Sequence, residues 1–166
     1  LGSTHPVSLF VTDCKAEMPA DTICFSFTNL ATTGFFPLTE GRWRIDGTLP
    51  VNHETKGTLE FGDIAEKFAE RTRMKVTLHH PFWFSVFHSH QRYASSFRKN
   101  RCFLAGDAAH IHSPVGAQGM NTGLQDAFNL AWKLALVIQN KSKGSILNTY
   151  TSERLPIAKN AIRYTD

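Results

Sequence analysis

The sequence is poor in cysteine and lacks long apolar runs, and each lack excludes a class of protein. The 3 cysteines, Cys14, Cys24 and Cys102, include no C-x-x-C pair and no spaced disulfide framework, which favours a reducing cytoplasm. No apolar run approaches the roughly 18 residues of a membrane-spanning helix, and no basic-then-apolar signal segment begins the chain. We therefore expect a cytoplasmic protein that does not contact a membrane.

Concentrated charge of one sign is also missing. The net charge is +4 with 19% charged residues, and the basic residues are scattered. The densest group, Arg98-Lys99-Asn100-Arg101, is typical of a solvated turn, because no aromatic-interleaved basic stripe accompanies it. We expect no nucleic-acid partner. A hydrophobic share of 42% with 13 phenylalanines provides core material for one domain, or one and a fraction.

Hydrophobic periodicity predicts strands first and helices later. Residues 6–48 alternate between apolar and polar side chains, which is typical of short strands. A helix is expected from Thr58 to about Arg73, with an apolar stripe on one side. The remaining predictions are strands over 76–87 and 93–97, a long helix that ends near Asn140, and a final helix from Ser145.

The stretch from Arg101 to Leu134 is the most informative part of the chain. A short apolar run of strand type, residues 102–105, ends at Gly106-Asp107, and open α/β sheets bind ligands at the carboxyl ends of strands. A loop with glycines follows over 113–119, where backbone could approach a ligand closely. The helix after it carries apolar residues at helical spacing: Leu124, Ala127, Phe128, Ala131, Leu134, Ala135 and Ile138. The pattern predicts a site for an electron-rich ligand with hydroxyl groups.

These residues resemble a known flavin-binding motif. The order is Gly106-Asp107-Ala108-Ala109-His110, then Pro114, Gly116, Gly119, Asn121, Gly123 and Asp126. It is similar to the second flavin-binding motif of FAD-dependent aromatic hydroxylases, the single-component monooxygenases of the p-hydroxybenzoate hydroxylase and phenol hydroxylase type. The resemblance implies that FAD, NAD(P)H and O2 are used to hydroxylate an aromatic, usually phenolic, small molecule.

The resemblance also implies a fold and a domain division. We expect an α+β chain that forms part of an α/β FAD-binding monooxygenase fold, with a mixed, largely antiparallel sheet followed by a strand, loop and helix. Residues 1–97 correspond to part of the substrate-binding middle region, and residues 98–166 to the C-terminal part of the FAD-binding domain. The G-x-G-x-x-G segment that opens this family is missing, so we expect a fragment or a shortened relative.

The family pattern assigns cofactor-binding roles to the motif. Asp107, with Gly106 before it, is expected to accept a hydrogen bond from a ribityl hydroxyl of FAD, a task that suits an acceptor-only carboxylate. The helix start at Gly119, Met120 and Asn121 presents amides that would stabilise negative charge on reduced flavin.

Two further positions, Gly116 and Pro114, shape the flavin site in the family. Gly116 leaves room between backbone and ring, and Pro114 lies beside the flavin as a rigid element. No residue of this chain is expected to act as an acid or base, because the cofactor carries the chemistry. Asp126 is expected to assist the helix dipole or to bond a neighbouring loop.

An apolar wall for the aromatic substrate is expected on the early strands. Phe25, Phe27, Phe36 and Pro37 are its candidates, although a phenylalanine stripe on a sheet is also typical of plain core.

Two alternatives to catalysis by this chain stay open at the sequence level. The first is a non-catalytic remnant, a binding or dimerisation module that holds no FAD by itself; an uncovered apolar side would then favour a homo-oligomer. The second is a metal site at the pairs His88-x-His90 and His110-x-His112, since alternate residues of a strand share a face.

Overall fold

The computed structural model describes residues 1–18, 21–49, 59–114 and 117–164, apart from the side chains of residues 5 and 6. It contains eight strands and four α-helices within those ranges. The strands are β1 (Gly2–Glu17), β2 (Cys24–Phe27), β3 (Thr32–Pro37), β4 (Arg42–Thr48), β5 (Thr77–Tyr93), β6 (Arg98–Lys99), β7 (Cys102–Phe103) and β8 (His110–Ile111). The helices are α1 (Phe61–Glu66), α2 (Phe68–Thr72), α3 (Gly119–Ile138) and α4 (Thr149–Tyr164).

The chain divides into two compact units. One comprises residues 6–88, and the other comprises residues 1–5 together with 89–166. The boundary predicted after residue 97, between the substrate-binding region and the FAD-binding part, stays a prediction. No helix in the described ranges is long and apolar enough to cross a membrane.

The unit of residues 6–88 is a sheet with two short helices on one face. Its strands follow the order β2-β3-β4-β1-β5, and the pairs β2–β3, β3–β4 and β1–β4 are antiparallel. The core is formed by apolar side chains of the sheet and both helices: Phe10, Cys14, Phe35, Trp43, Ile45, Leu49, Ile64, Phe68, Val76 and Leu78. This arrangement confirms the predicted α+β class with a largely antiparallel sheet.

The helix predicted from Thr58 to Arg73 is present as two shorter pieces, and Thr58 itself lies outside the described residues. A reciprocal capping box at Glu60 and Asp63 begins α1, with the Glu60 amide donating to the Asp63 carboxylate over 2.8 Å. The backbone leaves helical geometry at Lys67, between α1 and α2. The left-handed conformation of Arg73, at φ 54°, ends α2.

The unit of residues 1–5 and 89–166 is built on the two long helices. Its small core consists of Phe97, Ala109, Tyr150 and Ala158, and the Tyr150 hydroxyl donates to the Leu104 carbonyl over 2.8 Å. The pairs β5–β8 and β6–β7 are antiparallel and short. The strand predicted over 93–97 is wrong: β5 ends at Tyr93, and residues 94–97 are not in a strand.

Helix α3 confirms the predicted helix but exposes the predicted apolar stripe. Its buried residues are polar or charged: Thr122, Asp126 and Lys133. The apolar side faces outwards, with Leu124 60%, Phe128 77% and Ile138 76% exposed. Periodicity correctly predicted that the apolar residues share one face of α3. The opposite, polar face packs against α4 through the contacts described below.

Candidate flavin site

The Gly106-Asp107 motif forms a tight turn, not the end of a long strand. Strand β7 is only two residues, Cys102–Phe103, and residues Gly106–Ala108 form a single 3-10 turn closed by the Ala109 amide on the Gly106 carbonyl at 2.8 Å. Gly106 has a φ of +57°, a left-handed conformation that glycine adopts without strain. The Asp107 side chain is exposed, and its carboxylate has no hydrogen bond or ion pair to the described residues.

This turn packs directly on the second turn of α3. A Cβ placed on Gly123 would lie 3.3 Å from the Gly106 Cα, which is tighter than an ordinary contact. The two glycines therefore allow backbone to approach backbone. Because of this contact, two motif segments that are distant in sequence, the aspartate turn and the helix start, are adjacent in space.

The start of α3 presents backbone donors that have no helical partner in the described part of the chain. The helix begins at Gly119, and its N-cap residue, Gln118, provides no side-chain cap. The first helical hydrogen bond runs from the Thr122 amide to the Gln118 carbonyl at 3.0 Å, so the amides of Gly119, Met120 and Asn121 lack helical partners. The aligned peptide dipoles make this end partially positive.

The loop before α3 is described only in part. Pro114 is exposed, and its carbonyl accepts a hydrogen bond from the Ala117 amide at 3.0 Å. Gly116 lies outside the described residues, so its predicted role stays a prediction. His112 lies beside Gly119: its Nε2 would be 3.9 Å from a Cβ on that glycine, and its Nδ1 is 2.8 Å from the Ser113 carbonyl.

The chemistry of these groups fits FAD. An exposed carboxylate without a partner can accept hydrogen bonds from the hydroxyls of a ribityl chain, and a carboxylate makes charge-assisted bonds. Amides at the start of a long helix can stabilise the negative charge of a reduced flavin ring. The turn and the helix start provide both groups on one side of the same unit.

A buried polar cluster around Asp126 contacts the Gly106–Ala108 turn. Asp126 is fully buried, and its Oδ1 accepts a hydrogen bond from Arg154 Nε at 2.6 Å. Its Oδ2 lies 2.6 Å from His110 Nε2 and accepts from the Gly106 amide at 3.1 Å. Since an ionised carboxylate only accepts, Nε2 of His110 is assigned as the protonated nitrogen.

Only part of this cluster was predicted from the sequence. The prediction that Asp126 bonds a neighbouring loop describes its contact with Gly106. Its partner Arg154 lies 28 residues away along the chain, on another helix, so no local pattern connects the two.

The aromatic side chains predicted to contact substrate, exposed Phe25 and Phe27 and half-buried Phe36, form a patch on the sheet of the other unit. Phe25 stacks on Phe27 with 6.2 Å between ring centroids, and it meets Phe36 edge-on at 5.7 Å. Phe25 and Phe27 are 54% and 76% exposed, so they are not core. Pro37, half-buried at the end of β3, is paired with Trp43 of β4.

An acidic side chain that the sequence analysis missed borders this patch. Asp46 Oδ1 is buried without a hydrogen-bond partner among the described residues, and burial raises the pKa of this carboxyl. A Cβ on Gly34 would lie 2.6 Å from that oxygen and 2.8 Å from the Phe36 ring. Glycine therefore leaves the space that Asp46 and Phe36 fill.

The paired histidines have other partners. His88 Nε2 lies 3.1 Å from the Ser8 hydroxyl, and His90 Nδ1 lies 2.9 Å from the Thr4 hydroxyl. His110 is engaged by Asp126. Across the described part of the chain, no group of three or more His, Cys, Asp or Glu side chains could hold a metal ion.

The chain matches known proteins over most of its length. The family model described as "FAD binding domain" matches residues 21–165. The 6-methylpretetramide 4-monooxygenase of Streptomyces rimosus is 38% identical over 143 residues, which are 86% of this chain and 26% of that protein. Pentachlorophenol 4-monooxygenase of Sphingobium chlorophenolicum is 48% identical over 90 residues, which are 54% of this chain and 17% of that protein.

A solved structure agrees with these matches. The OxyS anhydrotetracycline hydroxylase of Streptomyces rimosus superimposes with a TM-score of 0.74 and 30% identity, over 99% of this chain and 34% of that one. The chain thus spans about a quarter to a third of the length of such relatives. The family match, the antiparallel sheet and the glycine-bearing aspartate turn on α3 agree: the chain belongs to the FAD binding domain family.

Proposed function

We propose that this chain is part of a flavoprotein monooxygenase that hydroxylates an aromatic, phenolic small molecule with FAD, NAD(P)H and O2 in the cytoplasm. The observation that carries the proposal is the exposed, unpartnered carboxylate of Asp107 on a turn packed against the start of α3. The names of the relatives support the substrate class, since one is a pentachlorophenol monooxygenase. Bound FAD supplies the redox chemistry, and the chain supplies binding and orientation.

Each group has a defined role in this proposal. Asp107 accepts a hydrogen bond from a ribityl hydroxyl and so sets the position of the flavin along its tail. The amides of Gly119, Met120 and Asn121 stabilise negative charge at the pyrimidine edge of the reduced ring. Pro114 and Gly116 shape the loop beside the ring.

The exposed aromatic patch is proposed as the substrate wall. Phe25, Phe27 and Phe36 offer ring faces and edges at offset-stacking and edge-on distances, which suits a flat aromatic ligand, and Pro37, the next residue of β3, is the fourth proposed member. Phe25→Ala is expected to raise KM for a phenolic substrate and to leave FAD affinity unchanged. An unchanged KM would remove the patch from the substrate site.

The activity test compares this chain with the full-length product of the gene that encodes it. With FAD, NAD(P)H and a set of phenols, the full-length protein is expected to oxidise NAD(P)H faster when substrate is present and to form one hydroxylated product per NAD(P)H. Failure of every phenol to stimulate NAD(P)H oxidation, or stimulation that yields only hydrogen peroxide, would contradict the assignment.

A second candidate is favoured by the exposed side of α3. Leu124, Gln125, Phe128, Asn129 and Arg154 line an open depression of about 560 Å³ there, and exposed apolar surface of this kind is typical of an interface. The 166-residue chain would then be a self-associating binding module that holds no flavin. A colourless dimer that Phe128→Glu converts to a monomer supports this candidate; flavin absorbance in the purified chain refutes it.

A further inference from the structure

We propose that Asp126 is a positioning residue of the flavin site, whose carboxylate fixes the turn of Gly106–Ala108, and Asp107 with it, against the first turns of α3. As far as the flavin is concerned, this inference rests on the proposed function. The anchoring of the turn is a property of the chain itself, which a measurement without flavin can test.

The division of contacts between the two carboxylate oxygens supports this role. Oδ1 accepts from Arg154 Nε at 2.6 Å, and this contact joins α3 to α4. Oδ2 does not contribute to that contact between the helices. It accepts a hydrogen bond from the Gly106 amide at 3.1 Å and lies 2.6 Å from His110 Nε2. A carboxylate that served only to connect the helices would need the first oxygen alone. The second oxygen bonds the backbone amide at the start of the Asp107 turn and the side chain of His110, two residues after the turn ends.

Arg154 stabilises and orients the Asp126 carboxylate that bonds the turn. The guanidinium is itself buried, and its Nη2 also donates to the Thr122 carbonyl at 3.2 Å, one helical turn before Asp126. A buried carboxylate is costly unless it is paired and hydrogen-bonded, and here the pair offsets that cost and fixes the orientation of the carboxylate. The turn therefore bonds to a rigid acceptor.

The close approach of Gly106 and Gly123 acts in the same direction. The backbone contact with Gly123 and the hydrogen bond to Asp126 hold the Gly106–Ala108 turn at two positions of α3, which lie about one helical turn apart. Because the amides of Gly119–Asn121 belong to the same helix, the geometry that fixes the turn also fixes the distance between the proposed ribityl acceptor and the proposed donors to the ring. Small displacements of positioning groups reduce binding strongly.

The decisive variant is Asp126→Asn, which is nearly isosteric. An amide has one acceptor oxygen, so if that oxygen keeps the bond to Arg154, the NH2 group faces the Gly106 amide, and two donors cannot pair. The contact between the helices is retained while the turn loses its anchor. Glu153→Gln is the matched control, because Glu153 joins α4 to α3 through Lys133 and does not touch the turn.

Two readouts are measured on wild type and both variants: hydrogen exchange of the Gly106 amide without flavin, and FAD affinity by flavin fluorescence. Asp126→Asn is expected to raise the exchange rate and to weaken FAD affinity, each by roughly tenfold or more, as for the loss of one charge-assisted bond. Glu153→Gln is expected to change neither by more than about twofold. A second variant, Gly123→Ala, displaces the turn without removing charge and is expected to raise the same exchange rate.

The possible outcomes separate the claims. Equal effects of Asp126→Asn and Glu153→Gln would show that Asp126 only holds the helices together and would overturn the proposal. Faster exchange with unchanged FAD affinity would overturn its flavin part. If the full-length wild-type protein takes up no FAD, the proposed function fails, whereas the exchange rates of Asp126→Asn and Gly123→Ala still decide whether the turn is anchored as proposed.

Discussion

The ion pair of Lys133 and Glu153 is asymmetric, and the asymmetry leads to a sharp prediction. Lys133 Nζ lies 2.6 Å from Glu153 Oε2 and 2.8 Å from Asn129 Oδ1. The lysine side chain is 1% exposed, whereas that of the glutamate is 44% exposed. Removal of the Glu153 carboxylate leaves a buried ammonium group without its ion-pair partner, whereas removal of the Lys133 ammonium leaves a carboxylate that water can reach.

The magnitudes follow from that difference. Glu153→Ala is expected to lower the free energy of unfolding by about 3 kcal/mol, at the low end of the range for a broken buried pair, because Asn129 still accepts one bond. Lys133→Met fills the same space without charge and is expected to cost about 1 kcal/mol or less, since the freed carboxylate is hydrated. The assay is urea unfolding of both variants. A cost for Lys133→Met equal to or above that for Glu153→Ala would refute the reasoning.

The same pair predicts a dependence on pH. The hydrogen bond from Lys133, with further ones from Thr149 and Asn129, lowers the pKa of Glu153 from its ordinary 4.5 to about 2. A carboxyl whose pKa is depressed by folding contributes stability that is complete above pH 4.5 and is lost as the pH falls towards 2. Wild type and Glu153→Ala are therefore expected to converge in stability over that window. A constant difference between them from pH 7 to pH 2.5 would contradict the assigned contacts.

Three other tests address the packing of each unit. Gly47→Ala would place a Cβ 2.8 Å from an aromatic ring and is expected to cost about 1–3 kcal/mol in thermal unfolding, whereas Gly62→Ala, in open space, is expected to cost nothing. Burial raises the pKa of the Cys14 thiol to about 12, so at pH 8 a thiol reagent is expected to label exposed Cys102 rapidly and Cys14 only on unfolding. Burial raises the pKa of Tyr150 to about 12; stability present below pH 10 is therefore lost as the pH rises towards 12, and Tyr150→Phe is expected to reduce this loss.

The sequence predicted the elements better than their partners. The glycine- and asparagine-bearing motif located α3 closely, because helix start signals are local. It did not reveal that the apolar face with Phe128 is exposed, since periodicity defines a face and not what covers it. The strand prediction over 76–87 missed the continuation of β5 to Tyr93, because paired neighbours extend a strand beyond its own alternation.

The candidate site was predicted in its exposed part and missed in its buried part. Asp107 and the start of α3 were singled out because they belong to one ordered motif, and their role in binding FAD stays a prediction. The bond between Asp126 and Arg154 joins two helices, and the position of Asp46 over Gly34 depends on strand register. Contacts of this kind arise from tertiary structure and leave no periodic signal in the chain.

The most direct test of the central claim is the FAD affinity of Asp107→Ala. The account predicts an affinity about 10- to 100-fold weaker than that of wild type, the equivalent of about 1.5–3 kcal/mol for a charge-assisted hydrogen bond. Glu66→Ala, which removes an exposed acid on α1, is expected to bind FAD like wild type. If Asp107→Ala also binds FAD with wild-type affinity, the carboxylate is not a flavin ligand and the proposed site is wrong.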